Sequence, residues 1–321
     1  MRAYRAPAWL PGGQLQTIWA ARFSRRDTGQ AAQFVRERWA APDGDFIDVD
    51  IQPGTAGAPW LAVFHGLEGS SDSHYIQAFA WAARAVGLNF AAPHFRGCSG
   101  ELNLAPRAYH SGDFEEIGWI LARLRERSAA PLLVAGVSLG GNALLRWAEE
   151  AGDSAARCAA AVAAVCSPID LSAGGRALAR GFNRQVYTRL FLRSMKPRAL
   201  AKLAQYPGLF DRQRLLAARD LYEFDNVFTA PLHGFLDTDD YWARASAKPL
   251  LHTIRIPALV FNARNDPFVP AWCLPEKSEV GDRVTLWQPP HGGHVGFAAG
   301  APPGHVLSMP QAVLGWLREH A

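Results

Sequence analysis

Nowhere in the 321 residues is there an uninterrupted apolar run of eighteen, so no membrane-spanning helix is expected. Cysteine is scarce: four residues, at 98, 158, 166 and 273, lack the short paired spacings of a metal site. Two of them lie in or beside one apolar run, so reduced, mostly buried thiols are expected rather than a disulfide framework, which favours the cytoplasm. The opening MRAYRAPAWLPGGQLQ is broken by proline and glycine and has no apolar h-region, so no signal peptide is expected. A net charge of +4 is slight for this length and gives no general case for nucleic acid as a partner. Internal repeats and low-complexity tracts are absent as well.

What is present is apolar mass and a rhythm. Hydrophobic residues make up 49% of the chain, enough for a substantial core in one large α/β domain or two smaller ones. Extended-looking runs occur at 34–40 and 46–51, separated by Pro42-Asp-Gly44, which reads as a hairpin. Further runs follow at 60–64, 88–92, 132–135, 159–165, 258–262 and 283–287, several of them continuously apolar, as parallel strands buried on both faces require. Helical patterns separate them at 73–86, 113–127 and 142–151, with a last one at 310–319. This alternation predicts an α/β fold: a mostly parallel eight-stranded sheet covered by helices on both faces.

The stretch 171–251 breaks the rhythm with helical-looking segments and no clear strand. It reads as a helical cap inserted into a discontinuous core formed by 1–170 and 252–321. Ligands of open α/β sheets bind beyond the carboxyl ends of the strands, so such an insertion would cover the site. Between Leu171 and Arg219 there are eleven Lys and Arg against the single acid Asp211. Two readings stand: a solvated arginine-rich face, which is preferred, or weak contact with an anionic membrane surface through the basic cap.

The chemistry enters at Gly136-Val-Ser-Leu-Gly-Gly-Asn142. Gly-x-Ser-x-Gly is expected by chance about 0.1 times in a chain this long, so the pattern alone decides little. Its position, directly behind a strand and directly ahead of a helix, is that of a sharp turn holding a serine hydroxyl outward. A serine needs a base, and the base an orienting acid, which in this arrangement follow in the order Ser, acid, His. Asp266 follows the strand at 258–262 in Ala263-Arg-Asn-Asp-Pro-Phe-Val-Pro270, and Asp170, after the preceding strand, is its rival. Candidate bases after Ser138 are histidines 233, 252, 291, 294, 305 and 320. His294 is preferred because it lies in the Gly-rich loop Pro289-Pro-His-Gly-Gly-His-Val-Gly-Phe297 after the last strand, which it shares with His291. For the developing oxyanion, the backbone N–H groups of Leu139, at the helix start, and of Leu67, in Phe64-His-Gly-Leu-Glu-Gly-Ser70, are the expected donors, each worth about 3 to 4 kcal/mol when lost. His65 and Glu68 are read as braces of that loop.

These residues carry a likeness. The chain resembles the α/β-hydrolase superfamily, and within it the YheT-like hydrolases, a group that includes eukaryotic α/β-hydrolase-domain lipid esterases and plant embryogenesis-associated proteins. The resemblance extends over Leu15-Gln-Thr-Ile18, His65-Gly-Leu-Glu-Gly-Ser-Ser-Asp-Ser-His-Tyr75, Phe95-Arg-Gly-Cys-Ser-Gly100, the Ser138 motif, Thr229-Ala-Pro-Leu-His-Gly-Phe235, Asn265-Asp-Pro-Phe268 and Gly292-Gly-His-Val-Gly-Phe297. It implies a Ser138, Asp266, His294 triad and a serine esterase acting on short- to medium-chain esters, acylglycerols among them, with no metal or organic cofactor. It departs at Gln14, where the family pattern commonly has His, and at His94, where it has Asn; both bear on substrate fit. Apolar residues of the insertion (Phe182, Tyr187, Leu190, Phe191, Leu192, Met195) line an acyl pocket on one reading and form ordinary buried helix faces on the other. A thioesterase or peptidase with the same triad, and a non-catalytic binding protein on this fold, remain the alternatives.

Overall fold

The computed structural model describes residues 4–27, 29 and 31–321. Met1 to Ala3, the first residues of the stretch expected to carry no signal peptide, lie outside them. Eight strands form one sheet: β1 (Val35–Ala40), β2 (Phe46–Gln52), β3 (Trp60–Phe64), β4 (Asn89–Pro93), β5 (Leu132–Val137), β6 (Ala159–Val165), β7 (Ala258–Phe261) and β8 (Val284–Trp287). Their order is β1-β2-β4-β3-β5-β6-β7-β8. The first two form the expected hairpin, Val35 opposite Ile51 and Ala40 opposite Phe46, and β2 runs antiparallel to β4. From β4 through β8 all pairs are parallel.

Alternation along the central strands builds two cores at once. On β5, Leu132 and Val134 face one layer, while Leu133, Ala135 and Val137 face the other. The helices α1 (Gly12–Arg22), α2 (His74–Ala85), α3 (Phe114–Arg125) and α4 (Leu139–Ala151) precede the break in rhythm. Ile117, Ile120, Leu121 and Leu124 of α3 join Leu144, Leu145 and Trp147 of α4 on the first face. Ile76 and Phe79 of α2 meet Val313, Leu314 and Leu317 of the final helix on the second. Both faces are therefore sealed, which is what continuously apolar strands demand.

Between β6 and β7 every regular element is helical, with no strand among the described residues. The chain there forms α5 (Leu171–Leu178), α6 (Gly181–Asn183), a π-helical turn at Arg184–Thr188, α7 (Arg189–Gln205), α8 (Arg212–Ala217), α9 (Leu221–Val227), α10 (Thr229–Leu232) and α11 (Thr238–Ala245), and α12 (Ser308–Glu319) closes the chain. Of the stretch 224–235, irregular in pattern, residues 224–227 belong to α9, which Asp220 caps by accepting from the Glu223 N–H, and 229–232 to α10, while 233–235 turn away without helix. Leu192, Met195, Leu215, Phe224 and Phe228 form this region's own core, while Ala247 and Leu251 pack into the main one.

Helix α1 is not signalled by the sequence. It starts behind Pro11 with two glycines, and its buried residues are Gln16, Thr17 and Ala20, so it has no apolar stripe to read. It buries polar groups because they serve the site.

Candidate active site

Strand β5 ends at Val137 and α4 begins at Leu139, so the turn is made in one residue. Ser138 makes it at φ 53°, ψ −121°, a conformation that L-residues rarely occupy. Its N–H is held by the Val165 carbonyl at 2.8 Å, and its own carbonyl accepts from Gly141 at 3.0 Å and Asn142 at 3.2 Å. A Cβ at Gly136 would collide with the Gly140 backbone, and one at Gly140 with the His65 and Phe64 carbonyls. Both glycines are thus required by close backbone approach, and together they hold the strained serine in place.

The hydroxyl so presented has a partner. His294 Nε2 lies 3.0 Å from Ser138 Oγ, and His294 Nδ1 lies 2.9 Å from Asp266 Oδ2. The second contact sets the tautomer: Nδ1–H donates to the carboxylate, leaving Nε2 free to accept the serine proton. The Asp266 side chain has no solvent exposure, and its other oxygen accepts from the N–H groups of Phe268 (2.7 Å) and Val269 (3.3 Å). Phe268 stacks on the imidazole with centroids 4.1 Å apart.

The loop that carries His294 is fixed one amide at a time. The Gly292 N–H donates to Gln16 Oε1 (2.9 Å), Gly293 to Asn265 Oδ1 (3.0 Å), His294 to Thr17 Oγ1 (2.8 Å) and Val295 to Cys166 Sγ (3.3 Å). Val295 and Phe297 are buried beneath. Gln16, Thr17, Asn265 and Cys166 escape a reading that looks only for nucleophile, base and acid. The available signal was Gln-Thr in the Leu15–Ile18 motif and Asn265 directly before the acid. Cys166 Sγ, the Asp266 carboxylate and the His294 ring lie within 4.8 Å of one another, the only group among the described residues arranged to hold a metal ion. Burial, with Asp266 beside it, pushes the Cys166 thiol well above its ordinary range. A protonated thiol is a poor ligand, and both other groups are already engaged with each other.

Across from the serine, the loop after β3 passes Gly66 directly against the Ser138 Cβ. Neither the N–H of Leu67 nor that of Leu139 has an acceptor among the described residues. His65 is a brace: Nδ1 faces the Gly66 carbonyl at 2.7 Å and Nε2 accepts from the Phe95 N–H at 3.0 Å. Burial, then nearby His94, lowers its pKa to about 3, so it stays neutral. Glu68, at φ 57°, accepts from Tyr109 and Arg198, both at 2.9 Å.

Ser138, Leu139, Leu67 and His294 open onto a cavity with about 1090 Å³ of empty space, its mouth included. Leu178, Phe191, Met195, Phe224 and Phe228 of the helical stretch supply much of its wall, with Phe268 beside the histidine. Of the insertion residues expected there, Phe191 and Met195 take that place; Tyr187 and Leu192 are buried in the packing of the helices, and Phe182 and Leu190 are half exposed. Gln14 and His94 do not line the cavity. Gln14 bonds Asn183 and Tyr187, tying α1 to the helical stretch, and His94 bonds Asp50.

The rivals lie elsewhere. Asp170 caps α5 by accepting from Ala173, and His291 is exposed, 3.5 Å from Asn265 Nδ2. His233 sits between the Thr229 and Ala108 carbonyls.

Residues 59–301 match the family described as alpha/beta hydrolase fold. The chain belongs to that family. Among alpha/beta hydrolases it is 40% identical to YheT of Escherichia coli (strain K12), provisionally named an esterase, over 82% of this chain and 78% of YheT. It is 29% identical to Phospholipase ABHD3 of Mus musculus over 78% of this chain, and the match spans 61% of that longer protein. In fold it is similar to mouse alpha/beta hydrolase domain-containing protein 10 (TM-score 0.54, 12% identity, 89% of this chain and 100% of that one).

Proposed function

We propose that this alpha/beta hydrolase is a serine carboxylic-ester hydrolase working through an acyl-enzyme on short- to medium-chain acyl esters. The observation that carries the reading is the hydrogen-bonded series Asp266, His294, Ser138 with both links between 2.9 and 3.0 Å. Ser138 Oγ attacks the carbonyl carbon as His294 Nε2 takes its proton, and the buried Asp266 carboxylate stabilises the imidazolium that forms. The N–H groups of Leu67 and Leu139, both without another acceptor among the described residues, take the oxyanion. His294 then protonates the departing alkoxide, and water, activated the same way, releases the acid.

Residues 171–251 act as a cap over the core of 1–170 and 252–321, and the apolar wall they supply receives the acyl chain. The esterase and phospholipase names of the relatives agree with an ester substrate. The four cysteines are free, in keeping with a reducing compartment such as the cytoplasm. Among the described residues, no helix is long and apolar enough to cross a membrane. Of the eleven basic residues in the cap, Lys202 is buried and Lys196 and Arg198 are half-buried. The exposed eight are read as a solvated face, so binding to neutral and anionic vesicles at low salt should be equally weak.

The test is hydrolysis of p-nitrophenyl esters of two to sixteen carbons, with labelling by a fluorophosphonate. Label on Ser138, activity lost in Ser138→Ala and an optimum at four to ten carbons are expected. Undiminished activity in Ser138→Ala would sink the mechanism.

A further inference from the structure

Leu67 is held on both sides by bonds that do not involve its own N–H. Upstream, the Gly66 N–H donates to Tyr75 Oη at 2.9 Å, and the Gly66 carbonyl accepts from Gly69 at 3.0 Å. Downstream, the Glu68 N–H donates to Tyr109 Oη at 2.9 Å, and the same hydroxyl donates back to Glu68 Oε1. This closes a small ring around a residue in the left-handed region, where a side chain larger than glycine's must be held by its surroundings. The last grip comes from the helical stretch. Arg198 of α7 donates from Nη1 to Glu68 Oε1 at 2.9 Å and to Cys98 Sγ at 3.0 Å. The Glu68 side chain is 9% exposed and that of Arg198 31%.

The seat of α7 is itself fixed one turn further on. Lys202 Nζ donates to the carbonyls of Asn103 (2.6 Å) and Ala105 (2.8 Å). That loop is in turn built on Asp45, which accepts from the N–H groups of Leu104 and Ala105. The Leu67 side chain packs against the same helices, next to the cluster of Leu192, Met195 and Phe228.

We propose that Arg198 and Glu68 are positioning residues that aim the Leu67 N–H at the reacting carbonyl, making the oxyanion donor dependent on the seat of α7. The proposal rests on the hydrolase reading above. The 67–68 peptide is oriented by the Glu68 backbone, the Glu68 backbone by its carboxylate, and the carboxylate by a cation on the cap. Losing one oxyanion donor outright costs about 10²- to 10³-fold in kcat, and a misplacement of about 1 Å costs about 10²-fold. Loosening the donor should therefore cost about 10- to 100-fold, in kcat rather than in KM.

The experiment compares wild type, Arg198→Met, Arg198→Lys, Tyr109→Phe and Ser138→Ala on p-nitrophenyl butyrate. Inhibition is measured with a four-carbon-chain trifluoromethyl ketone, whose adduct with serine bears an oxyanion, and with the matching ether, which cannot form one. Expected in Arg198→Met is a kcat lowered about 10- to 100-fold with KM within about twofold, ketone affinity falling by a like factor, unchanged ether affinity and partial recovery in Arg198→Lys. Unaltered kcat, a loss confined to KM, or equal weakening of ketone and ether would overturn the proposal and leave Arg198 as pocket wall. If Arg198→Met melts at the assay temperature, Arg198→Lys and Tyr109→Phe carry the same readouts. A wild type that cleaves no ester and matches Ser138→Ala would overturn the hydrolase reading itself, and the positioning role with it.

Discussion

A carboxylate with no solvent exposure that accepts two backbone N–H bonds has its orientation chosen for it, and Asp266 passes that choice to His294. Asp266→Asn keeps the shape but offers an amide donor where Nδ1–H needs an acceptor, so the ring is held in the wrong tautomer. A fall in kcat of about 10³- to 10⁴-fold with little change in melting temperature is expected, read by steady-state kinetics beside calorimetry. A second residue-scale effect concerns stability. Burial lowers the His65 pKa in the folded chain to about 3, against about 6.5 unfolded. In that window the unfolded chain binds the extra proton, so stability present above pH 6.5 is lost as pH falls toward 3, at up to about 1.4 kcal/mol per pH unit. His74 and His110, lowered to about 4 and about 3 chiefly by burial, act in the same direction. Glu116 and Glu149, raised to about 7 and about 8 chiefly by burial, oppose them. Comparison of melting temperatures in wild type and His65→Gln from pH 7 to 4.5 isolates one group: the wild type should lose stability more steeply.

At the scale of elements, the β5 to α4 turn works because two backbones touch where a side chain would stand. Gly136→Ala places a methyl group against the Gly140 carbonyl, and the strand and helix must separate. Overpacking of this kind costs about 1–3 kcal/mol, so the melting temperature should drop by about 2 to 4 °C and esterase activity should vanish with the elbow. That turn was legible in the sequence, as were all eight strands: the central ones because buried parallel strands need continuous apolar runs, the first two because Pro42-Asp-Gly44 marks the hairpin between them. The loop positions of Asp266 and His294 were legible for a related reason: they follow strand ends whose order the chain itself supplies. Helix α1 was not. Its buried side chains are Gln16 and Thr17, chosen to accept from amides of a loop near residue 290, and partners so distant leave no local period. Arg198 was hidden in the same way, counted among surface cations until Glu68 is seen beneath it.

For the molecule as a whole, the site is assembled from residues 16 to 294, so its contacts are among the longest in sequence that the chain makes. Contacts of high sequence separation form slowly, since loop closure precedes any reward. On dilution from urea, helical and strand signal by far-ultraviolet circular dichroism should return before ester hydrolysis; coincident recovery would count against this ordering. The same seam has a meaning for a chain being made. A ribosome that has delivered everything through Asp266 has supplied the serine, the acid, the helical stretch 171–251 and the helix that will receive the histidine loop, with the histidine itself still to come. Helix α1 then still lacks the Gly292 and His294 amides from which Gln16 and Thr17 accept, and Ser138 has no base beside it until that loop arrives. On the proposed mechanism, hydrolysis in a nascent chain is thus withheld by the order in which residues emerge rather than by an inhibitor.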